Sequence, residues 1–192
     1  MIKLVVLLAA LSLVTVACGD EGSRSSDGET PVATGDVPFD RAFIDAMVPH
    51  HREAIAMAES AAERRLSQPE LVEIAYDIIG SQQLEIDQML EWREKWFGSR
   101  TLGPVQPEVL GVPEDALGMK HDTAEQLANA ADLDATFAAL MIPHHEGAIA
   151  MAEAATQRAQ HDELRDLATR IIDAQEREIK VMEPHASGEH HG

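Results

Sequence analysis

One pattern of residues occurs twice in this chain and constrains its fold more than any other feature. Phe-x-x-x-Met-x-Pro-His-His begins at Phe43 and again at Phe137, 94 residues later, and both copies continue into Ala-Ile-Ala-Met-Ala-Glu. A second shared pattern, Ile-Ile-x-x-Gln-x-x-Glu-Ile-x-x-Met, begins at Ile78 and at Ile171, 93 residues later. Self-similarity at a nearly constant spacing is the signature of an internal repeat. The chain is therefore predicted to use one unit of roughly 60 residues twice.

The first unit, residues 39–97, predicts two helices joined by a very short turn. Asp40 is the expected N-cap of a helix that runs to about Leu66. Ser67-Gln68-Pro69-Glu70 has the capping-box pattern for a second helix that ends near Phe97. A turn this short makes consecutive helices antiparallel neighbours.

The second unit, residues 134–185, repeats this arrangement. Asp134 is the expected cap of a third helix to about Gln160, and Asp162 starts a fourth that ends before Pro184. Between the units, residues 98–118 contain four Gly and three Pro, which predicts that no helix forms there. A short helix from Asp122 to near Ala131 completes the connection, 98–133. The predicted fold class is all-α: a four-helix bundle of two αα-hairpins, one domain over 39–185, followed by a flexible tail at 186–192.

The N-terminal residues predict export. Lys3 precedes an apolar run from Leu4 to Val16, interrupted by Ser12 and Thr15, that is too short to span a bilayer. The following Ala-Cys-Gly resembles a bacterial lipoprotein cleavage box, and Cys18 is the only cysteine. We expect a signal peptide over 1–17, lipidation of Cys18, a disordered tether through residue 38, and a location in the cell envelope outside the cytoplasm. The alternative is an ordinary secretory signal with an incidental cysteine.

The net charge of the chain is −19. Such a surface repels phosphate backbones, so the protein is not expected to bind nucleic acid. Only 4% of the residues are aromatic, and abundant alanine favours closely packed helices over sheets.

Polar groups lie on the predicted inward faces of the helices. Steps of three and four residues place one His, one Gln and one Glu of each unit on stripes that are otherwise apolar. An ionised carboxylate buried without a partner costs several kcal/mol, so each core Glu needs a proton, a cation or a metal. Two occurrences, each with three methionines, favour a metal over a buried His–Glu pair that only fixes helix register. The residues on these stripes are His50, Gln82, Glu85, His144, Gln175 and Glu178.

The second histidine of each pair needs a separate interpretation. Successive helical residues point about 100° apart, so one imidazole of each pair is expected to face inward and the other to be peripheral. Pro49 and Pro143 fall inside the predicted helices at a cost of about 3 kcal/mol each. A kink there could bring both imidazoles towards one opening. Alternatively, the prolines only bend the helices around the core.

Methionine and histidine together indicate copper. Thioether sulfur is a soft ligand that favours Cu(I) or Ag(I), and imidazole serves Cu(I), Cu(II), zinc and iron. Copper, as Cu(I), is therefore the predicted ion, with zinc and iron as alternatives. The predicted ligands are Met47, His50, His51, Met57, Glu85, Met89, Met141, His144, His145, Met151, Glu178 and Met182, and the predicted outer partners are Gln82, Gln175 and His185.

These motifs resemble a known family. Met-x-Pro-His-His-x-x-Ala-Ile-x-Met-Ala, from Met47 and from Met141, together with Gln-x-x-Glu-Ile-x-x-Met, from Gln82 and from Gln175, is similar to the bacterial secreted proteins grouped as domain of unknown function 305. The resemblance covers residues 39 to about 184. It implies a ferritin-like four-helix bundle and, from CopM-like members, copper or silver binding in the cell envelope.

Two other functions compete with metal binding. A metal-free helical interaction module would use its polar core residues only to set helix register. A ferritin-like oxidase would need Glu-x-x-His on two helices, and no inward Glu-x-x-His occurs here, so the sequence predicts no enzyme activity. Whether the bundle forms a homodimer stays open at this stage.

Overall fold

The computed structural model describes residues 37–120 and 122–186. The predicted signal peptide, Cys18, nearly all of the tether, and the tail from residue 187 onward lie outside these described residues. Within them the chain forms helices and no strand, which confirms the all-α prediction. None of the described helices is long and apolar enough to cross a membrane. The helices are α1 (Phe39–Glu63), α2 (Pro69–Phe97), α3 (Pro107–Leu110), α4 (Thr123–Ala128), α5 (Leu133–Arg158) and α6 (Asp162–Ala186).

The four long helices pack as two hairpins. Helix α1 packs along α2, and α5 packs along α6. The hairpins meet mainly where α1 contacts α5, with a smaller contact between α2 and α6. The two helices that carry the Pro-His-His pattern therefore lie next to each other, and this arrangement is the predicted bundle.

The connection between the hairpins is more ordered than predicted. Residues 98–118 were expected to contain no helix, but α3 and a 3₁₀ turn at Glu114–Leu117 form there. Helix α3 begins with Pro107 in its first turn, where a missing N–H is not needed and the fixed φ suits a helix. The apolar side chains of Leu110, Val112 and Leu117 are buried in the core. Burial of these side chains accounts for the order of a segment rich in glycine and proline.

Four predicted helix boundaries are wrong. Helix α1 begins at Phe39 without a side-chain cap, and Asp132 rather than Asp134 caps α5 by accepting a hydrogen bond from the Ala135 N–H at 3.0 Å. The predicted capping box does not form, because α2 begins at Pro69 and its N-cap is therefore Gln68 rather than Ser67. Helix α6 continues past Pro184 to Ala186. The carbonyl that Pro184 leaves without its helical bond belongs to exposed Lys180, where water can replace that bond.

Asp40 and Asp134 instead hold the turns of the opposite hairpins. The buried Asp40 carboxylate accepts from the backbone N–H groups of Gln160 and His161 at 2.8 and 3.0 Å, and its oxygen lies 2.6 Å from His161 Nδ1. The Asp134 carboxylate accepts from the backbone N–H of Ser67 at 2.9 Å and from the Ser67 hydroxyl. Asp40 and Asp134 are 94 residues apart, as are Ser67 and His161. Two matched contacts therefore tie each hairpin to the other.

We expect loss of either carboxylate to destabilise the whole bundle. Asp40→Ala or Asp134→Ala leaves backbone N–H groups at a partly buried turn without this acceptor, which costs up to about 1–3 kcal/mol for each group. Urea unfolding followed by circular dichroism measures the change. Asp166→Ala, an exposed aspartate of α6, is the matched control and is expected to stay within about 0.5 kcal/mol of the unaltered protein. If all three variants unfold at the same urea concentration, these contacts do not stabilise the fold.

Candidate metal centre

Four imidazoles lie in the interior of the bundle. The side chains of His50, His51, His144 and His145 are all buried. The prediction that one histidine of each pair is peripheral is therefore wrong. Neighbouring positions of a helix point about 100° apart, but α1 and α5 each pack against two long helices, namely each other and their own hairpin partner, so both directions lead into the core. The first imidazole of each pair faces the α1–α5 contact, where the rings of His50 and His144 lie 3.7 Å apart, centre to centre.

The second imidazole of each pair contacts its own hairpin partner. His51 Nε2 lies 2.8 Å from a carboxylate oxygen of Glu85 on α2. His145 Nε2 lies 2.7 Å from the matching oxygen of Glu178 on α6. Both carboxylates are only partly buried, with 20% and 16% of their side chains exposed. The sequence pattern placed Glu85 on the same inward face as His50, whereas in the structure Glu85 contacts His51.

The first imidazoles have different surroundings. His50 Nε2–H donates to the backbone carbonyl of Leu117 at 2.8 Å. Neither ring nitrogen of His144 has a hydrogen-bond partner within the described residues, although a Glu53 carboxylate oxygen lies 3.9 Å from its Nε2. The Nδ1 atom of all four rings is buried and has no hydrogen-bond partner in the described part of the chain. Buried polar atoms without partners are rare in folded proteins, so these nitrogens call for a functional explanation.

Burial and mutual repulsion keep the central pair uncharged. Burial, and then the neighbouring His51, lowers the pKa of His50 from 6.5 to about 3, although the hydrogen bond to Leu117 opposes the shift. Burial, and then His50, also lowers the pKa of His144 well below its usual value. A neutral imidazole is the form that ligates a metal.

The six methionines of the repeated patterns are all buried, but they do not group by unit. Met47, Met89 and Met151 lie in one apolar cluster, and Met57, Met141 and Met182 lie in another. Each cluster therefore takes two methionines from one hairpin and one from the other. The clusters combine methionines from both hairpins because α1 contacts α5, so that each Pro-His-His helix packs against both hairpins.

The predicted outer partners divide into two groups. Gln82 and Gln175 are buried, and the Oε1 atom of each has no hydrogen-bond partner among the described residues. His185 lies on the last turn of α6, where its Nε2 is 3.2 Å from Glu70 on α2. That position is about 10 Å along the helix from Glu178, so His185 does not belong to the imidazole group.

A segment of the connection covers the central imidazoles, and sequence reasoning missed it. We call residues Val112–Lys120 the strap. A Cβ atom on Gly147 would lie 2.1 Å from the Leu117 carbonyl oxygen, so only glycine lets the strap approach α5 this closely. Gly118 has a φ of 73°, and a Cβ atom on it would lie 2.4 Å from the Pro143 carbonyl oxygen. On the other side, a Glu53 carboxylate oxygen accepts from the Lys120 N–H at 3.3 Å.

A difference between the two copies of the pattern could have revealed the strap. After Pro-His-His, the first copy continues Arg52-Glu53 and the second continues Glu146-Gly147. Glutamate and glycine thus occupy matched places in otherwise similar stretches. Glu53 accepts a hydrogen bond from the strap, and Gly147 leaves the space that the strap occupies.

The donors fit a soft metal better than a hard one. Within residues 37–120 and 122–186, no three side chains of the His, Cys, Asp or Glu type converge in a group that could hold an ion. The groups buried nearby are neutral imidazole nitrogens and thioethers. Such donors suit Cu(I) and Ag(I), whereas hard cations require oxygen ligands. A metal held here would thus draw on methionine sulfur as well as on histidine.

Several solved structures are similar to this one. CopM in its Cu(I)-bound form is 35% identical, with a TM-score of 0.63 over 78% of this chain and 96% of CopM. CopM has also been solved in Cu(II)-bound and Ag-bound forms. A fragment of a Deinococcus radiodurans protein, of the domain-of-unknown-function 305 type, is 28% identical with a TM-score of 0.65, over 79% of this chain and 97% of the fragment.

A related protein of Streptomyces coelicolor is 25% identical with a TM-score of 0.68, over 76% of this chain and 90% of that protein. No curated protein matches the chain. The family model of domain of unknown function 305 (DUF305) matches residues 40–185, which span all four long helices. By the match to this family model and by the likeness to CopM, this chain belongs to the DUF305 family.

Proposed function

We propose that this protein binds copper, as Cu(I), inside its helical bundle. One observation carries the proposal: four buried imidazoles each present an Nδ1 atom without a hydrogen-bond partner in the described residues. Two of these rings stay neutral because their pKa values are lowered. Buried lone pairs of this kind are costly unless a ligand uses them. Binding of an ion would offset that cost.

The comparisons support this choice of ion. CopM, 35% identical, has been solved in Cu(I)-, Cu(II)- and Ag-bound forms. The buried thioethers favour the monovalent ions over zinc and iron. The proposed donors of this chain are imidazole nitrogens and methionine sulfurs, namely Met47, His50, His51, Met57, Met89, Met141, His144, His145, Met151 and Met182.

Glu85 and Glu178 have a different role in this proposal. Each carboxylate oxygen already lies within hydrogen-bond distance of a histidine Nε2. A carboxylate in that position orients the ring and makes its other nitrogen a better ligand. We therefore place the two glutamates around the metal ligands, where they fix the direction of His51 and His145, rather than on the metal.

In the cell, we infer, the protein acts outside the cytoplasm and is attached to the membrane by lipid at Cys18. Thioethers oxidise more slowly than thiols in such a location, which explains a soft-metal site built from methionine and histidine. The inferred role is to hold copper for homeostasis or tolerance, without catalysis.

A metal-free role is the second candidate. The bonds from His51 to Glu85 and from His145 to Glu178 join neighbouring helices and could serve only to fix their register. In that case an apolar replacement of the central histidines leaves function intact, and stability is unchanged or raised. The central pair, rather than the two His–Glu bonds, separates the candidates.

The first test removes the central pair. We expect His50→Leu/His144→Leu to lower Cu(I) affinity by at least about a hundredfold, or about 2.7 kcal/mol, in competition with a chromophoric chelator. It should also abolish the rise in melting temperature that bound metal produces. The control His185→Gln alters a histidine about 10 Å along α6 from Glu178 and should change neither value. Unaltered affinity in the double variant would favour the metal-free role.

The second test separates sulfur ligands from packing. Met47→Leu/Met141→Leu nearly conserves side-chain volume in both apolar clusters, so stability should change by less than about 1.5 kcal/mol per site. Cu(I) affinity should fall at least about tenfold, or about 1.4 kcal/mol, because Leu offers no donor. Met119→Leu, at a partly exposed position on the strap, is the control. Equal Cu(I) affinities in both variants would leave nitrogen as the only donor type.

The third test uses pH. Below pH 6.5 the unfolded chain protonates its histidines, whereas His50, with a lowered pKa of about 3, stays neutral in the folded state. The unfolded state then binds more protons, so the free energy of unfolding of the metal-free protein should fall between pH 6.5 and 3. The loss is about 1.4 kcal/mol per pH unit for each such histidine. Urea unfolding at pH 7.5 and pH 5 should show a smaller loss for His50→Leu/His144→Leu, and an equal loss in both proteins would contradict the assignment.

A further inference from the structure

The strap contributes one backbone group to the imidazole cluster. The Leu117 carbonyl oxygen lies 2.8 Å from His50 Nε2, and both groups are buried. A carbonyl oxygen can only accept a hydrogen bond, so His50 Nε2 must carry the proton. The ring is neutral, and Nδ1 is therefore left with its lone pair.

The position of this carbonyl is fixed from three directions. Gly147 allows the oxygen to rest against α5, where any Cβ atom would collide with it. Gly118, the next residue along the strap, lies against the backbone of Pro143 and His144. Glu53 of α1 accepts from the Lys120 N–H beyond it. The carbonyl thus belongs to a segment held between the two Pro-His-His helices.

We propose that the Leu117 carbonyl is a positioning group for the metal site, which holds His50 in the Nε2–H tautomer and so makes Nδ1 the atom that binds the ion. The inference rests on the proposed function. In this arrangement the carbonyl does for His50 what Glu85 and Glu178 do for His51 and His145. Three rings then offer the same nitrogen, and partners on three different elements, the strap, α2 and α6, set that choice. Such partners commonly govern tautomer and ring direction at metal sites.

The first experiment needs no substitution. Long-range ¹H–¹⁵N NMR of the metal-free protein distinguishes the two tautomers, and His50 should show a protonated Nε2. On titration with Ag(I), the His50 Nδ1 resonance should shift while the Nε2–H signal persists. A protonated Nδ1 in the metal-free protein, or loss of the Nε2–H signal with a shift of Nε2 on adding Ag(I), would overturn the proposal.

The second experiment displaces the strap. Gly147→Ala places a Cβ atom against the Leu117 carbonyl, so the His50 Nε2–H signal should move or exchange faster with water. Cu(I) affinity should fall by about 10- to 100-fold, the usual loss when a partner of a metal-binding histidine is removed. Gly80→Ala is the matched control, because Gly80 is also helical and a Cβ atom there meets nothing within 4 Å.

The outcomes separate this inference from the proposed function. If Gly147→Ala displaces the Nε2–H signal but leaves Cu(I) affinity unchanged, the strap is structural and the positioning role is wrong. If the unaltered protein binds neither Cu(I) nor Ag(I), the proposed function fails and the positioning role fails with it. The tautomer of the metal-free protein still shows in that case whether the strap fixes the ring.

Discussion

The burial of four imidazoles, two at the contact between α1 and α5 and one facing each of α2 and α6, is the constraint on which the rest of the structure depends. An imidazole taken from water into an apolar core costs free energy unless its nitrogens find partners. Here each partner comes from a different element: Glu85 from α2, Glu178 from α6, and the Leu117 carbonyl from the strap. Both hairpins and the connection between them are thus needed to surround one small group of side chains. The Nδ1 atoms still lack partners in the described residues, and a bound ion would offset the free-energy cost of burying them.

The two hairpins also depend on each other at their ends. Asp40 and Asp134, one at the start of each Pro-His-His helix, accept hydrogen bonds from the turn of the opposite hairpin. The methionines also connect the hairpins, since each apolar cluster contains methionines from both hairpins. A single hairpin would leave its turn without these acceptors and its cluster incomplete. The protein is therefore better described as one bundle with a shared core than as two binding units in series.

The two halves differ where the strap lies. Glu53 and Gly147 occupy matched places in the repeated pattern, and the strap fits between them because one is long and acidic and the other has no side chain. This difference gives His50 a hydrogen-bond acceptor and leaves both nitrogens of His144 without one in the described residues. The histidine group is thus asymmetric although its side chains come from a repeated sequence. An ion bound there would meet two imidazoles of unlike surroundings, only one of which is held in a single tautomer.

The sequence by itself determined the helical class, the two hairpins, the approximate ends of the four long helices and the burial of the repeated methionines, because repeat spacing and helical periodicity are local properties of the chain. Prediction from the sequence failed for side chains whose contact partners are distant in sequence. Asp40 and Asp134 have the sequence pattern of helix caps, which is local. Their carboxylates instead accept hydrogen bonds from turns far along the chain. Helical periodicity predicted His50 as the partner of Glu85, but His51 is the partner in the structure. Which of these two adjacent side chains contacts α2 depends on how α1 is rotated about its axis. Only the tertiary structure decided this rotation, the mixing of the methionines and the position of the strap, because packing between helices settles all three.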